Sequence, residues 1–283
     1  MAGTATGPGT GSDTGPDAGP DTGPSAAPGP LVVRYVGGPT AVLQIGGVLL
    51  LTDPTFDPPG DYPIGTRTLT KTAGPALAAN ALGRIDAVLL SHDHHPDNLD
   101  RLGRQYLAGV PLVLSTASAR DRLGDPVRAL PNWERAELPR PDGGSLGITG
   151  VPAQHGPDGT EHLVGEVTGF VLSGAGLPTV YVSGDNASLA VVRSVEDRFG
   201  PVDVAVLYAG GAQTALLGEA YLTLTSSAAA EAARILGARH VVPLHFEGWA
   251  HFTQGADTLL AAFAAAGLAD RLHLPEPGGR IDL

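Results

Sequence analysis

The segment Ser91-His-Asp-His-His-Pro-Asp-Asn-Leu-Asp100 decides how this chain is interpreted. It follows Ala87–Leu90, a short apolar run that predicts a buried β-strand. His92 and His94 are two residues apart, and in an extended or loop backbone such residues project to the same side. Two imidazoles placed in this way can share one cation, and Asp97 adds a carboxylate within the same turn. The segment therefore predicts a metal site at the end of a strand, in preference to a solvated loop whose Asp97 caps a helix.

Three further segments have the same form, a predicted strand followed by a residue that can bind a metal. These residues are His155 after Leu146–Val151, Asp185 after Thr179–Val182, and His245 after Val241–Leu244. Each has an ordinary alternative: a loop histidine, a helix N-cap, and a buried histidine satisfied by a backbone carbonyl. Because strand ends gather in a crevice at one edge of an open α/β sheet, one shared site explains all four segments better than four coincidences. The other histidines are expected to be structural or exposed (His162, His240, His273), with His251 left open.

The composition narrows the chemistry that such a site can use. The 283 residues include no cysteine, which excludes disulfides, thiolate ligands and iron–sulfur clusters and leaves His, Asp and Glu as ligands. The net charge of -12 and the single lysine, Lys71, argue against nucleic acid as a partner, because phosphate binding needs clustered positive charge. No apolar run reaches the roughly 18 residues of a membrane span, and no secretory leader is recognisable. We therefore expect a cytoplasmic protein.

The pattern along the chain changes after residue 30. Residues 1–30 are almost entirely Gly, Pro, Thr, Ala, Ser and Asp, which predicts a disordered tail, and residues 31–283 are expected to form one domain. Apolar runs separated by Gly-Gly pairs between Leu31 and Thr52 predict antiparallel hairpins. Residues 53–80 are rich in Pro and Gly and predict a long loop, and Leu163–Leu172 predicts a strand. Strands that alternate with helical periodicity later in the chain indicate a layered α/β fold.

Taken in this order, the segments resemble the metallo-β-lactamase fold superfamily. The resemblance runs from about residue 31 to the end of the chain and includes Thr52-Asp53-Pro54 as well as the four segments above. Within the superfamily, the chain is similar to the small-hydrolase branch that includes L-ascorbate-6-phosphate lactonase and N-acyl-phosphatidylethanolamine phospholipase D. The resemblance implies a four-layer αββα sandwich with mixed sheets, and one or two metal ions at the sheet edge.

The resemblance also implies a role for each residue. His92, His94 and His155 would bind a first metal, Asp97 and His245 a second, and Asp185 would bridge the two. The superfamily pattern is His-x-His-x-Asp-His. If this chain has a one-residue insertion, Asp97 matches the Asp of the pattern and Asn98 replaces its last His. Without the insertion, Pro96 falls on the Asp and Asp97 on the last His. Either way one imidazole of the second site is missing, unless His95 turns inward to replace it. Because an amide is a poorer zinc ligand than imidazole, the second site is expected to be weak, absent or filled by a harder metal.

These expectations describe a metal-dependent hydrolase. It would use a metal-bound hydroxide on a small ester, lactone, amide or phosphodiester, with Asp97 orienting or deprotonating the water. One or two Zn²⁺ ions are expected, with Mn²⁺ and Fe²⁺ as alternatives. Two other functions fit the same residues: a mononuclear iron oxygenase of the same fold, which needs two His and one carboxylate, and a non-catalytic metal-binding domain. The sequence predicts a small-molecule substrate but no oligomeric state.

Overall fold

The computed structural model of the protein describes residues 30–283 and residues 1, 3 and 4. The predicted disordered tail, residues 1–30, therefore lies almost entirely outside the described residues. From Leu31 to Thr52 the chain forms three antiparallel strands joined by two tight turns, which confirms the predicted hairpins. Gly46 and Gly47 both have positive φ angles, 56° and 77°, which a two-residue turn between twisted strands requires.

The strands, numbered in chain order, form two large sheets and one separate hairpin. The first sheet has seven strands in the order β15 (Arg280–Asp282), β1 (Leu31–Gly37), β2 (Thr40–Ile45), β3 (Val48–Thr52), β6 (Ala87–Leu89), β7 (Val113–Ser115) and β8 (Val127–Ala129). The second has six in the order β14 (His240–Leu244), β13 (Val204–Tyr208), β12 (Val180–Val182), β11 (Thr168–Ser173), β10 (Ser145–Pro152) and β9 (Arg135–Pro139). The hairpin joins β4 (Gly60–Ile64) to β5 (Arg67–Lys71). Both large sheets mix parallel and antiparallel pairs.

Alternating side chains of one strand enter two different cores. In β13, Val204, Val206 and Tyr208 pack in the core between the two sheets, whereas Ala205 and Leu207 face a second core on the outer side. This follows from the period of two along a strand, because successive side chains point to opposite faces. A third core covers the outer face of the first sheet. The sheets are therefore buried on both faces, which explains why the central strands are apolar throughout.

Helices cover the two outer faces and complete the four layers predicted from the sequence. They are α1 (Arg101–Leu107), α2 (Ala117–Leu123), α3 (Glu161–Val164), α4 (Leu189–Phe199), α5 (Ser226–Ile235) and α6 (Ala256–Ala265), with 3₁₀ turns at Ala79–Ala81, Ala215–Leu217 and Ala269–Arg271. Helices α4, α5 and α6 pack on the second sheet, and α1 packs on the first. None of the helices within the described residues has the length and hydropathy that a membrane crossing requires.

The topology brings the ends of several strands to one rim of the sandwich. Strands β12, β13 and β14 are parallel, and β10 runs in the same direction because both β10 and β12 are antiparallel to β11. In the first sheet β3 and β6 are also parallel. The segments that follow β6, β10, β12 and β14 carry the residues singled out from the sequence.

Two local predictions are wrong. The strand expected over Leu163–Leu172 is split, because Glu161–Val164 form α3 and β11 begins only at Thr168. The loop expected over residues 53–80 contains the β4–β5 hairpin. Most residues of this hairpin are exposed or half-buried, so its strands carry little of the apolar alternation by which a strand is recognised.

Candidate metal centre

The His-rich segment leaves β6 as a turn that is fixed at its far end by a helix cap. The amides of Asn98 and Leu99 both donate to the carbonyl of His95, at 3.1 and 3.0 Å. Asp100, not Asp97, is the N-cap of α1, and its Oδ1 accepts from the amide of Gly103 at 2.8 Å. Asp97 and Asn98 are therefore free to face the rim.

The turn brings three histidines together. His92, His95 and His155 are buried, and each offers a ring nitrogen within 4.8 Å of the other two. The Nε2 of His92 lies 3.1 Å from the Nδ1 of His95. The three ring centroids are separated by 5.1 to 5.3 Å. We call this set the three-histidine group.

The structure does not bring His94 into this group, although the sequence analysis expected it there. The side chain of His94 is 27% exposed, and its Nδ1 lies 3.8 Å from Asp93 and 3.4 Å from the guanidinium of Arg122. The expectation assumed an extended backbone, in which residues two apart share a side. The segment turns instead, and in a turn the residue three positions on faces the same way. His95 therefore occupies the place assigned to His94.

Neighbouring polar groups fix the orientation of the rings. The Nδ1 of His155 lies 2.9 Å from the carbonyl oxygen of Leu222. Because a carbonyl can only accept, this contact favours the tautomer with the proton on Nδ1, which leaves Nε2 free as an acceptor. The Nδ1 of His92 lies 3.0 Å from Ser91 Oγ, which in turn donates to Asp53 Oδ2 at 2.7 Å. Contacts of this kind orient the ligand imidazoles of metal sites. Asp100 makes no such contact, because it caps α1 and pairs with Lys71 at 3.0 Å.

A second group lies beside the first. Asp97, Asp185 and His245 are buried and also place one ligand atom each within 4.8 Å of one another. The Nε2 of His245 lies 3.3 Å from Asp97 Oδ2 and 3.9 Å from Asp185 Oδ1. His245 has a φ of 55°, a left-handed conformation that is rare for a non-glycine residue and often found at functional sites. We call this set the carboxylate group.

Asn98 joins this second group as a hydrogen-bond donor. Its Nδ2 donates to Asp185 Oδ1 at 2.9 Å and to Asp53 Oδ2 at 3.2 Å. Asn98 thus separates two buried carboxylates that would otherwise repel each other. His251, which the sequence left open, also reaches this group, with its Nε2 3.0 Å from Asp97 Oδ2.

The three-histidine group is electrically neutral over a wide pH range. Burial holds the pKa of His92 well below its usual value, with the neighbouring His95 and His155 adding to the effect. Burial also lowers the pKa of His95 to about 4 and that of His155 to about 3. Neutral imidazole is the form that binds a metal ion, so at neutral pH the group needs to lose no proton.

The carboxylate group has a different charge state. Burial, opposed by His245 and reinforced by Asp97, raises the pKa of Asp185 to about 6. Burial would also raise the pKa of Asp97, but His251 and His245 outweigh it and hold that pKa well below its usual value. Burial alone would lower the pKa of His245, and the Asp185 and Asp97 carboxylates raise it instead. The group therefore carries negative charge that a cation would balance.

The residues present fit a metal centre because several of their buried polar atoms have no hydrogen-bond partner in the described part of the chain. Within the described residues, His155 Nε2, His245 Nε2 and Asp97 Oδ1 are buried without a hydrogen-bond partner. Buried polar atoms are normally satisfied, so each exception needs an explanation. A cavity of about 20 Å³ is lined by His95, Asp97, His155, Asp185 and His251, among others. A cation held between the two groups would provide the missing contacts.

The β4–β5 hairpin covers this cavity. Ile64, Arg67 and Leu69 line it from the hairpin, and Arg67 Nη1 donates to Thr214 Oγ1 on the opposite wall at 2.6 Å. The hairpin is anchored by Lys71, whose buried ammonium pairs with Asp100. Among the described residues that line the cavity, no acid forms a salt bridge with Arg67.

Six candidate residues are predicted from the sequence, with His95 only as a replacement at the second site, and Arg67 is not among them. Five of the six, His92, Asp97, His155, Asp185 and His245, lie in the two groups, and His94 does not. The spacing of His95 favours it as a ligand, because it stands two residues before Asp97, where the superfamily pattern has its second histidine. Arg67 carried no signal, since the hairpin itself was not predicted.

Comparison with known proteins shows the family of the chain. A family model described as a β-lactamase superfamily domain matches residues 49–246. A UPF0173 metal-dependent hydrolase from Methanosphaerula palustris is 32% identical over 210 residues, which cover 70% of this chain and 84% of that protein.

Two solved structures show the same fold. An isothiocyanate hydrolase from Delia radicum gut bacteria has a TM-score of 0.73 and 22% identity, and the match covers 88% of this chain and 98% of that one. CmlA, a diiron β-hydroxylase from Streptomyces venezuelae, has a TM-score of 0.63 and 19% identity, with coverage of 89% and 54%. The family model and the relative from Methanosphaerula palustris carry the assignment: the chain belongs to the β-lactamase superfamily, in its branch of metal-dependent hydrolases.

Proposed function

We propose that the chain hydrolyses a small ester, lactone, amide or phosphodiester at a zinc centre held by the three-histidine and carboxylate groups. The observation that carries this proposal is the meeting of three neutral, buried imidazoles with two buried carboxylates beside one cavity, which His95, His155 and both carboxylates line. His92, His95 and His155 would hold the first ion, Asp97 and His245 the second, and Asp185 would lie between them. Nitrogen and carboxylate donors of this kind suit zinc, and the carboxylates also admit Mn²⁺ or Fe²⁺.

A divalent cation at this position would lower the pKa of a coordinated water to about 7 and polarise the attacked carbonyl or phosphoryl oxygen. The protein's own contribution begins with Asp97. Its low pKa keeps it ionised, so it acts as a hydrogen-bond acceptor. Its Oδ1 has no donor among the described residues and is available to orient the attacking water. The β4–β5 hairpin excludes bulk water from the cavity.

Arg67 points to the kind of substrate. It lines the cavity together with His95 and has no acidic partner among the described lining residues. A guanidinium placed in this way binds a carboxylate or phosphate by charge-assisted hydrogen bonds. We therefore include an anionic group on the substrate in the proposed function.

Metal analysis combined with activity assays tests the proposal. The protein purified without added metal should contain zinc, lose hydrolysis of a panel of esters, lactones and phosphodiesters on chelation, and regain it with Zn²⁺. His92→Ala should lose both metal and hydrolysis, whereas the exposed His162→Ala should lose neither. Iron accompanied by oxygen uptake and no hydrolysis would instead favour the oxygenase alternative. Metal without any reaction would favour a non-catalytic domain.

A further inference from the structure

The chain has an amide, Asn98, where the superfamily pattern has an imidazole. Its Nδ2 donates to two carboxylates, Asp185 and Asp53, and to the hydroxyl of Ser91. The amide nitrogen cannot donate electrons to a cation. The Oδ1 of Asn98, buried and without a partner among the described residues, offers only a neutral amide oxygen, which is a poorer ligand for zinc than imidazole. If two ions bind, the second would be held more tightly by an imidazole supplied from elsewhere.

His251 lies where such a donor is needed. Its Nε2 is 3.0 Å from Asp97 Oδ2, and the Nε2 of His245 is 3.3 Å from the same oxygen. Ligand atoms around a tetrahedral zinc ion lie about 3.3 Å apart at bond lengths of about 2.0–2.1 Å. Each of the two imidazole nitrogens thus lies near the same carboxylate oxygen at about the separation of two ligands that share an ion.

The backbone holds His251 in this place from two sides. The amide of Ala250 donates to the carbonyl of Thr70 in the β4–β5 hairpin at 2.9 Å. On the other side, the carbonyl of His251 accepts from the amide of Gln213 at 3.3 Å. The imidazole packs on Phe252, with ring centroids 4.6 Å apart. His251 is therefore positioned by the same hairpin that covers the cavity.

We infer that His251 is a ligand of the second ion and supplies the imidazole that the chain lacks at position 98. The donor set of the second ion is then Asp97, Asp185, His245 and His251. This inference rests on the proposed metal centre and adds one ligand to it. The simpler role for His251 is to donate a hydrogen bond to Asp97 without touching the metal, so an experiment must separate a ligand from a hydrogen-bond donor.

Cobalt titration of three variants makes this separation. The metal-free protein is titrated with Co²⁺ and followed by its visible absorption, by elemental analysis, and by the shifted imidazole N–H resonances of the cobalt-loaded protein. His251→Ala removes both roles. His251→Asn keeps a hydrogen-bond donor and removes the imidazole. The double variant N98H/H251A restores an imidazole at position 98, where the superfamily pattern has one, and removes the hydrogen bond from His251 to Asp97. Circular dichroism confirms that each variant is folded.

A ligand role predicts that the wild-type protein binds two equivalents of Co²⁺. His251→Ala and His251→Asn should both keep the first equivalent and lose one shifted N–H resonance, with the second dissociation constant raised by more than about 100-fold, the upper range for partners of ligands. N98H/H251A should recover the second equivalent. If His251→Asn binds the second ion as the wild type does, or if the wild type binds a single ion, the inference is wrong. If the wild type binds no ion, the proposed metal centre fails with it.

Discussion

The three-histidine group and the carboxylate group lie side by side but are built from different chemistry. His92, His95 and His155 are neutral donors whose pKa values are lowered by burial. The carboxylate group contains two acids and His245, and its acids contact the polar side chains of Asn98 and His251. The first group has the three imidazoles that the superfamily pattern gives to the first metal, with His95 in place of His94, and the second group lacks one imidazole of that pattern. We conclude that the first group should bind metal more tightly and tolerate less change.

The largest expected effect follows from removing a ligand of the first group. His155→Ala should lower kcat/KM by more than about 100-fold, because even residues that only orient a ligand cost 10- to 100-fold. The zinc content should fall by one equivalent. Steady-state kinetics and elemental analysis measure both, with the exposed His162→Ala as the control. Unchanged kinetics in His155→Ala would exclude the three-histidine group from the reaction.

Removing the amide of Asn98 should affect only the second group. Asn98→Leu leaves Asp185 and Asp53 without a shared donor, so we expect the second ion to bind about 10- to 100-fold more weakly. The metal-free protein should lose about 1–3 kcal/mol of stability, because a buried acceptor loses its partner. Metal titration and thermal unfolding test this, with the exposed Asn132→Leu as the control. An equal weakening of both ions would mean that the two groups are not independent.

Arg67→Ala should change substrate recognition and leave both groups filled. We expect KM for substrates with a carboxylate or phosphate to rise about tenfold, the lower end for a hydrogen bond to a charged group. KM for neutral esters and the metal content should stay the same. Arg84→Ala is a matched control, because this arginine is exposed and pairs with Asp86. A rise in KM that ignores substrate charge would contradict the proposed anion contact.

The smallest expected difference between the groups is in proton release. At pH 5.5 the imidazoles of His95 and His155 are already neutral, because their pKa values are about 4 and about 3. Asp185, with a pKa of about 6, is still largely protonated at this pH. Burial would lower the pKa of His245, but the two carboxylates raise it, so this imidazole is protonated at this pH as well. The first ion should therefore displace almost no proton and the second more than one. Calorimetry in buffers of different ionisation enthalpy measures this; equal release by both ions would contradict it.

Much of this centre can be predicted from the sequence because parallel strands end at one rim. His155, Asp185 and His245 each follow a buried strand, and the topology that gathers them follows from alternating strands and helices. The side chains within a turn are harder to predict. An extended backbone between His92 and Asp97 predicts His94 as the ligand. Hydrogen bonds to the carbonyl of His95 close the segment into a turn instead, and the turn brings His95 to the site.

The parts that could not be predicted depend on contacts between distant segments. The β4–β5 hairpin has few buried residues, so its sequence carries only a weak pattern. His251 reaches Asp97 across 154 positions of sequence, and nothing in its own surroundings distinguishes a ligand from an ordinary aromatic neighbour. Arg67 lines the cavity only because the hairpin folds over it, so its place in the site cannot be predicted from the sequence around it.

The central claim is that the first ion is held by His92, His95 and His155, with His94 outside. Elemental analysis of His94→Ala and His95→Ala, purified in parallel with the wild type, tests it most directly. We predict that His94→Ala keeps the full metal content and that His95→Ala loses one equivalent. Loss of metal in His94→Ala with full retention in His95→Ala would contradict the account.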